Sequence, residues 1–419
     1  MSHPLDELVR AQKRGEPRGI ASICSAHPSV LKVALRGALP VLIESTCNQV
    51  NQFGGYTGMT PAGFVHFVEE FAAQNGFPEE QLLLGGDHLG PSPWQNKPAA
   101  NAMQKSEELV RLYVQAGYTK IHLDASMRLA GDPPGPLAPE VSARRTAELV
   151  RVAEGSVPHL ANAPRYAIGT EVPLPGGARE HEDGVHVTTV EAARLTLELM
   201  HAAFVEAGLE SAWERVIALV VQPGVEFGDD FVFSYDPAAA RNLARFSETT
   251  PFVYEVHSTD YQTRDNLRFL VRDHFAILKV GPALTYAYRE AVFALAMMED
   301  ELIPAGRRSN LVKVLEEVMM RQPEYWQKYY RGDETAQRLA RKFSLSDRLR
   351  YYWGDPQVQS ALLRLMQNLG EKKLPLTLVS QYASRQWERI RSGQIANKPE
   401  AIILDKVIAV LEQYVFACG

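Results

Sequence analysis

The chain has 419 residues, 46% hydrophobic and 22% charged, with 44 basic against 50 acidic side chains and a formal net charge of -6. That balance suits a globular protein with a large core and excludes both general disorder and the basic footprint of a nucleic-acid binder. Three widely spaced cysteines, Cys24, Cys47 and Cys418, suggest neither a disulfide framework nor a thiolate zinc site. The N-terminal stretch lacks an apolar signal core and no run approaches about 20 apolar residues, so a cytoplasmic location with no membrane partner is expected.

Short apolar runs recur in chain order: "GIASICSAH" from Gly19, "PVLIEST" from Pro40, "LLLGGDH" from Leu82, "KIHLDAS" from Lys120, "YAIGTEV" from Tyr166, "ALVVQPG" from Ala218, "PFVYEVHS" from Pro251 and "FAILKVG" from Phe275. Each ends in small or polar residues and is followed by helical spacing, the pattern of a parallel α/β fold. Helix starts are legible between them. Thr60–Pro61 and Asp236–Pro237 read as an N-cap with proline at the first helical position, and Thr188 with Glu191 reads as a capping box. Eight strand–helix units predict a closed α/β TIM (β/α)8 barrel over residues 1–300. From residue 301 to 419 segments such as "SNLVKVLEEVMMRQ" and "AIILDKVIAVLEQYV" carry helical spacing, predicting an α-helical C-terminal extension packed on the barrel. A homo-oligomer is expected.

Barrels of this kind place their chemistry at the carboxyl ends of the strands, where alternate residues face inward. At those ends stand Glu44 and Thr46, His88, His122 and Asp124, Glu171, Gln222, Glu255 and His257, and Lys279. Isolated buried charges are costly, so this ring implies pairing, a metal or a solvated polar pocket. Two histidines with carboxylate or amide oxygens suit a divalent ion, with zinc favoured and manganese or cobalt as alternatives. His88 and His257 are the expected ligands, completed by Glu171 and by Asp124 or Gln222. Asp87, beside a ligand, is placed to act as general base or acid, or to orient a ligand.

Lys279 raises a rival chemistry, a Schiff base with a ketose, which Glu255 on the neighbouring strand would oppose by keeping the ammonium charged. An ion pair or a contact to a substrate oxygen is the expected role. After strand two, the amides Asn48, Gln49, Asn51 and Gln52 with nearby glycines suit a polyhydroxylated sugar or sugar-phosphate ligand, to which Glu44 would also contribute. "PLPGGARE" after strand five is a candidate lid. Ser258, Thr259, the adjacent Asp260 and the backbone after Gly281 could hold a phosphate, because the loops after strands seven and eight commonly do so. No P-loop or dinucleotide fingerprint is present.

The segments "VLIESTCNQVNQFGGYTGMTP", "GGDHLGPSPWQ", "IHLDASM", "IGTEVPLPGG", "QPGVEFGD", "YEVHSTDYQT", "LKVGPALTYAYREAVFAL" and "SDRLRYYW" together resemble the Z-subunit family of D-tagatose-1,6-bisphosphate aldolase, the GatZ/KbaZ type. The likeness runs from about Gly19 to Trp353 and on toward the C-terminus. It implies a TIM barrel related to class II aldolases, in which an Asp–His pair ending strand three supplies an acid/base group and a zinc ligand. Asp87 and His88 match those places, and His257 matches a later ligand histidine on strand seven. The third ligand histidine, expected on strand six, is replaced by Gln222, with Glu171 nearby. The resemblance further implies cleavage of a ketose bisphosphate to dihydroxyacetone phosphate and glyceraldehyde 3-phosphate, accessory to or together with a catalytic Y subunit. An alternative is a stand-alone metal-dependent 4-epimerase of tagatose and fructose or their phosphates. It would break and remake the C3–C4 bond with Asp87 and Glu171 or Asp124 as acid/base groups. A third reading is a non-catalytic stabilising subunit.

Overall fold

A computed structural model describes residues 3–36, 40–158, 163–169 and 185–419. The eight apolar runs form strands β1 (Ile20–Ile23), β2 (Val41–Thr46), β3 (Leu82–Leu89), β4 (Lys120–Leu123), β5 (Arg165–Ile168), β6 (Val216–Val220), β7 (Val253–Val256) and β8 (Phe275–Val280). They pair in parallel, each with its neighbours in sequence, and β8 closes on β1. The expected barrel is therefore the observed fold. A two-residue antiparallel ribbon, Glu226–Phe227 against Val232–Phe233, is added after β6.

Alternation along the strands sorts their side chains. Val41 and Ile43 of β2 pack outward with the helices, whereas Leu42 faces an inner apolar layer with Ile20, Leu83, Val253 and Ile277. This layer is closed from the amino end by a helix, Pro4–Lys13, that inserts Leu5 and Leu8 among those residues. The helix is started by His3, whose Nδ1 accepts from the Leu5 amide, and by Pro4 at its first position. Arg165 at the start of β5 ties it down through Asp6, 2.7 Å away.

The helix ends agree with the sequence except at one. Thr60 and Asp236 accept from the amides of Gly63 and Ala238. The cap of helix Val190–Glu206, however, is Thr189, which accepts from Ala192. Thr188 Oγ1 instead takes the amide of Gln222, 2.9 Å away.

The helix after β8 runs Pro282–Leu302, across residue 300, and packs along the terminal helix Pro399–Cys418. That terminal helix also lies against helices Arg264–Arg272 and Pro28–Ala34 and against β1. Polar bonds fasten it: Tyr414 donates its hydroxyl to the Thr259 carbonyl at 2.9 Å, and the Gly19 amide donates to the Cys418 carbonyl at 3.0 Å. The turn Arg348–Tyr352 reaches the loop after β2, with Tyr351 edge-on to Tyr56 at 4.7 Å between ring centres. Among the described residues no helix is long and apolar enough to cross a membrane.

Leu5 is fully buried, and its removal leaves a hole that the rigid strand ends cannot fill. Leu5→Ala is expected to cost roughly 2–5 kcal/mol in urea unfolding.

Candidate metal centre

Above the apolar layer the barrel interior turns charged. Glu44 on β2 stands in register with Gly85 on β3, and Gly85 with Lys120 on β4. A Cβ at position 85 would fall 2.6 Å from the Glu44 side chain, so glycine makes the room that Glu44 occupies. Lys120 Nζ lies 2.7 Å from Glu44 and 2.5 Å from Glu255, and all three side chains have no solvent exposure. Lys279 from β8 meets Glu44 in a hydrogen bond, Asp87 at 2.7 Å and Glu255 at 3.4 Å. Burial works against the Lys279 ammonium, but Asp87, Glu255 and Glu44 outweigh it and hold its pKa well above the usual lysine value.

The next level carries the histidines. Asp87 follows the inward parity of Leu83 and Gly85, so plain alternation would point His88 outward. His88 instead adopts a left-handed φ of 48°, which turns its ring inward beside Asp87. Ser258, just after His257, has the same conformation, with φ 55°. Each such residue stores roughly 1–3 kcal/mol of strain. The rings of His88, His122 and His257 lie 4.7–5.1 Å apart, centre to centre.

Carboxylates hold each ring. Asp124 meets His88 Nδ1 at 2.9 Å, Asp87 meets His122 Nδ1 at 2.8 Å, and Glu255 meets His257 Nε2 at 3.3 Å. The His88 amide also approaches His122 Nδ1, at 3.3 Å. The shorter contact to an ionised carboxylate puts the proton on Nδ1, and the amide then makes no bond there. His122 Nε2 is left buried with no protein partner. One donor atom each from Asp87, His88, His122 and His257 falls within 4.8 Å of the others.

Electrostatics favour a cation at this point. Asp87 is held well below the usual carboxylate range, because Lys279 and the three histidines outweigh the effect of burial. Asp124 falls to about 2, its hydrogen bond from His88 overcoming burial. Burial pushes His257 down to about 3, against the pull of Glu255. Asp87 and Asp124 raise the His88 pKa against the effect of burial, so an ion would displace a proton there. With that proton gone, two lysines against Glu44, Asp87, Asp124 and Glu255 leave two negative charges, which a divalent ion would balance. Three imidazoles, one carboxylate and an orphaned buried nitrogen fit such an ion.

Of the expected ligands, the structure brings Asp87, His88 and His257 together, and it adds His122. Asp124 supports His88 from behind. Gln222 spends its side-chain oxygen on the amides of Gly224 and Val225, 2.8 and 2.9 Å away. Glu171 and the "PLPGGARE" segment lie outside the described residues. Lys120 and His122 continue the spacing of two that ends in Asp124, and that series was the available signal for both.

The expected sugar-binding residues have mostly internal partners. Gln49 accepts the Thr46 amide, Gln52 donates to the Lys105 carbonyl, and Asn48 is exposed. Glu44 and Lys279 belong to the charged layer. Thr259 donates to the Lys279 carbonyl at 2.6 Å, and Ser258 interacts with Glu226. Asp260 accepts the amides of Gly281 and Ala283 at 3.0 and 2.8 Å. A carboxylate of the chain itself thus fills the helix terminus where a phosphate was expected.

Burial raises the pKa of Asp260 to about 6 from the ordinary 3.8. The native state therefore keeps a proton that the unfolded chain has released, and this stabilisation is full below about pH 3.8 and lost as pH rises through about 6. Asp260→Asn is expected to flatten the fall in urea stability between those values. A protonated, triply paired Lys279 is no nucleophile. Borohydride added with a ketose is expected to leave no adduct on Lys279 in the mass spectrum.

A family model for "D-tagatose-1,6-bisphosphate aldolase subunit GatZ/KbaZ-like" matches residues 5–419. Proteins named D-tagatose-1,6-bisphosphate aldolase subunit GatZ are 52% identical in Klebsiella pneumoniae and 53% identical in Salmonella typhimurium, each alignment covering 99% of both chains. A crystal structure from Sinorhizobium meliloti, titled a probable tagatose 6 phosphate kinase, superposes with TM-score 0.88 at 48% identity, covering 96% of this chain and all of that one. With its eight-stranded barrel and this end-to-end match, the chain belongs to the GatZ/KbaZ-like family of D-tagatose-1,6-bisphosphate aldolase subunits.

Proposed function

We propose that the chain is a metal-binding subunit of a D-tagatose-1,6-bisphosphate aldolase, working with a catalytic Y-type partner on a ketose phosphate. The observation that carries this reading is the buried Asp87–His88–His122–His257 set with its unpartnered His122 nitrogen. Zinc suits three imidazoles and a carboxylate best, and manganese or cobalt would be accepted by the same donors. The names of the close relatives supply the substrate class, and their word subunit supports a partner chain. The kinase title of the rhizobial structure finds no counterpart in a P-loop here.

A bound divalent ion would polarise the ketose carbonyl and stabilise the electrons released when the C3–C4 bond breaks. The chain's own groups do the rest. His88, His122 and His257 would grip the ion, with their outer nitrogens fixed by Asp124, Asp87 and Glu255. Asp87 Oδ1 is tied to Lys279 and His122, while Oδ2 lies 3.9 Å from His88 Nε2. That second oxygen, which also accepts from Cys24 Sγ at 3.9 Å, faces the ligand nitrogens and is the one Asp87 would offer to the ion. Lys279, held as a cation, keeps Asp87 ionised for this role. The apolar plug below and the C-terminal turn beside the mouth limit water around these charges.

Metal analysis of the purified chain, together with aldol cleavage assays with and without a Y-type subunit, tests the reading. One divalent ion per chain is expected, and His122→Ala should weaken metal affinity at least about tenfold and remove the chelator-sensitive part of the activity. A metal-free chain that supports the partner fully, unchanged by His122→Ala, would leave only a stabilising subunit.

A further inference from the structure

Lys120 supplies no ligand atom and meets no solvent, yet it sits at the centre of the charged layer. Its Nζ approaches Glu44 and Glu255 at ion-pair distance but off the direction of a hydrogen bond, so the attraction is chiefly one of charge. Barrels usually fill this level with branched apolar side chains. Replacing a buried ion pair by well-packed apolar residues is often neutral or stabilising, so stability alone does not account for a lysine here.

Its effect is positional. Lys120 takes Glu255 Oε2, which leaves Glu255 Oε1 for His257 Nε2 at 3.3 Å and Lys279 at 3.4 Å. A carboxylate on Nε2 keeps the proton there and leaves the lone pair on Nδ1. At His88 the arrangement is reversed, because Asp124 holds Nδ1.

We propose that Lys120 is a positioning residue: by anchoring Glu255 it holds His257 with Nδ1 turned to the cation, so that His257 ligates through Nδ1 while His88 and His122 ligate through Nε2. This rests on the metal reading above. It extends that reading to a residue outside the ligand set.

Cadmium-113 NMR of chain carrying 15N-labelled histidine tests it, alongside a cadmium affinity titration. In the wild type, 113Cd–15N coupling is expected to Nδ1 of His257 and to Nε2 of His88 and His122. Lys120→Met should give His257 in mixed tautomers and weaken cadmium binding about tenfold or more. Glu255→Gln keeps the side-chain volume and breaks the same link, and it should act in the same direction should Lys120→Met not fold. Coupling to Nε2 of His257 in the wild type overturns the proposal, as does unchanged coupling and affinity in the variant that folds. A wild type that binds cadmium while the variants match it overturns this inference alone. A wild type that takes up no cadmium overturns the metal reading with it.

Discussion

The contact of Lys279 with Asp87, Glu255 and Glu44 is the constraint on which the rest of the interior depends. Burying an unpaired ammonium or carboxylate would cost several kcal/mol, so these groups are tolerable only as a set. Lys120 completes the set on the side of β4. The carboxylates that neutralise the lysines are also those that orient His122 and His257. Structure and chemistry therefore share the same atoms, and removing one partner disturbs both. The surrounding fold keeps the set dry: Leu5 and Leu8 close the amino end, and Thr259 is sealed under Tyr414 of the terminal helix.

The strained residues His88 and Ser258 flank the same cluster from β3 and β7. A regular strand would present Asp87 or His88 to the interior, but not both. The left-handed turn lets consecutive residues enter one site, at an energetic cost that the packed strands around them absorb. The C-terminal segment is tied to the barrel near this site. Asp260 caps the helix Pro282–Leu302, and Asp347 accepts a hydrogen bond from Thr285 of that helix at 2.6 Å. The helical tail thus forms part of the wall of the barrel mouth.

Much of this was legible in the residues. Runs of β-branched and apolar side chains marked all eight strands, because a strand buried on both faces needs them. The spacing of two at the strand ends marked the polar ring. Four things escaped. Parity cannot foresee a left-handed residue: the spacing put His88 in the inward ring with Asp87 beside it, whereas in the strand Asp87 is the residue of inward parity and His88 turns in through its positive φ. His122 was seen as a ring member but not as a donor, since nothing in the spacing shows that its Nε2 lacks a partner. Asp260 looked like a neighbour of a phosphate site, whereas folding swings its carboxylate onto the amides of Gly281 and Ala283. That last arrangement depends on two loops meeting in space, and no local pattern encodes it. The plug helix was likewise hidden, because its apolar side is short, made by Leu5, Leu8, Val9 and Ala11.

On the proposed reading, three histidines and Asp87 form one divalent-ion site at the carboxyl end of the barrel. X-ray absorption at the zinc edge, on protein loaded with one equivalent of zinc, tests it most directly. A shell of imidazole nitrogens and oxygen at about 2.0–2.2 Å is expected, with three histidines in the fit and no sulfur. A spectrum dominated by sulfur, or by water oxygens with fewer than two histidines, would contradict it.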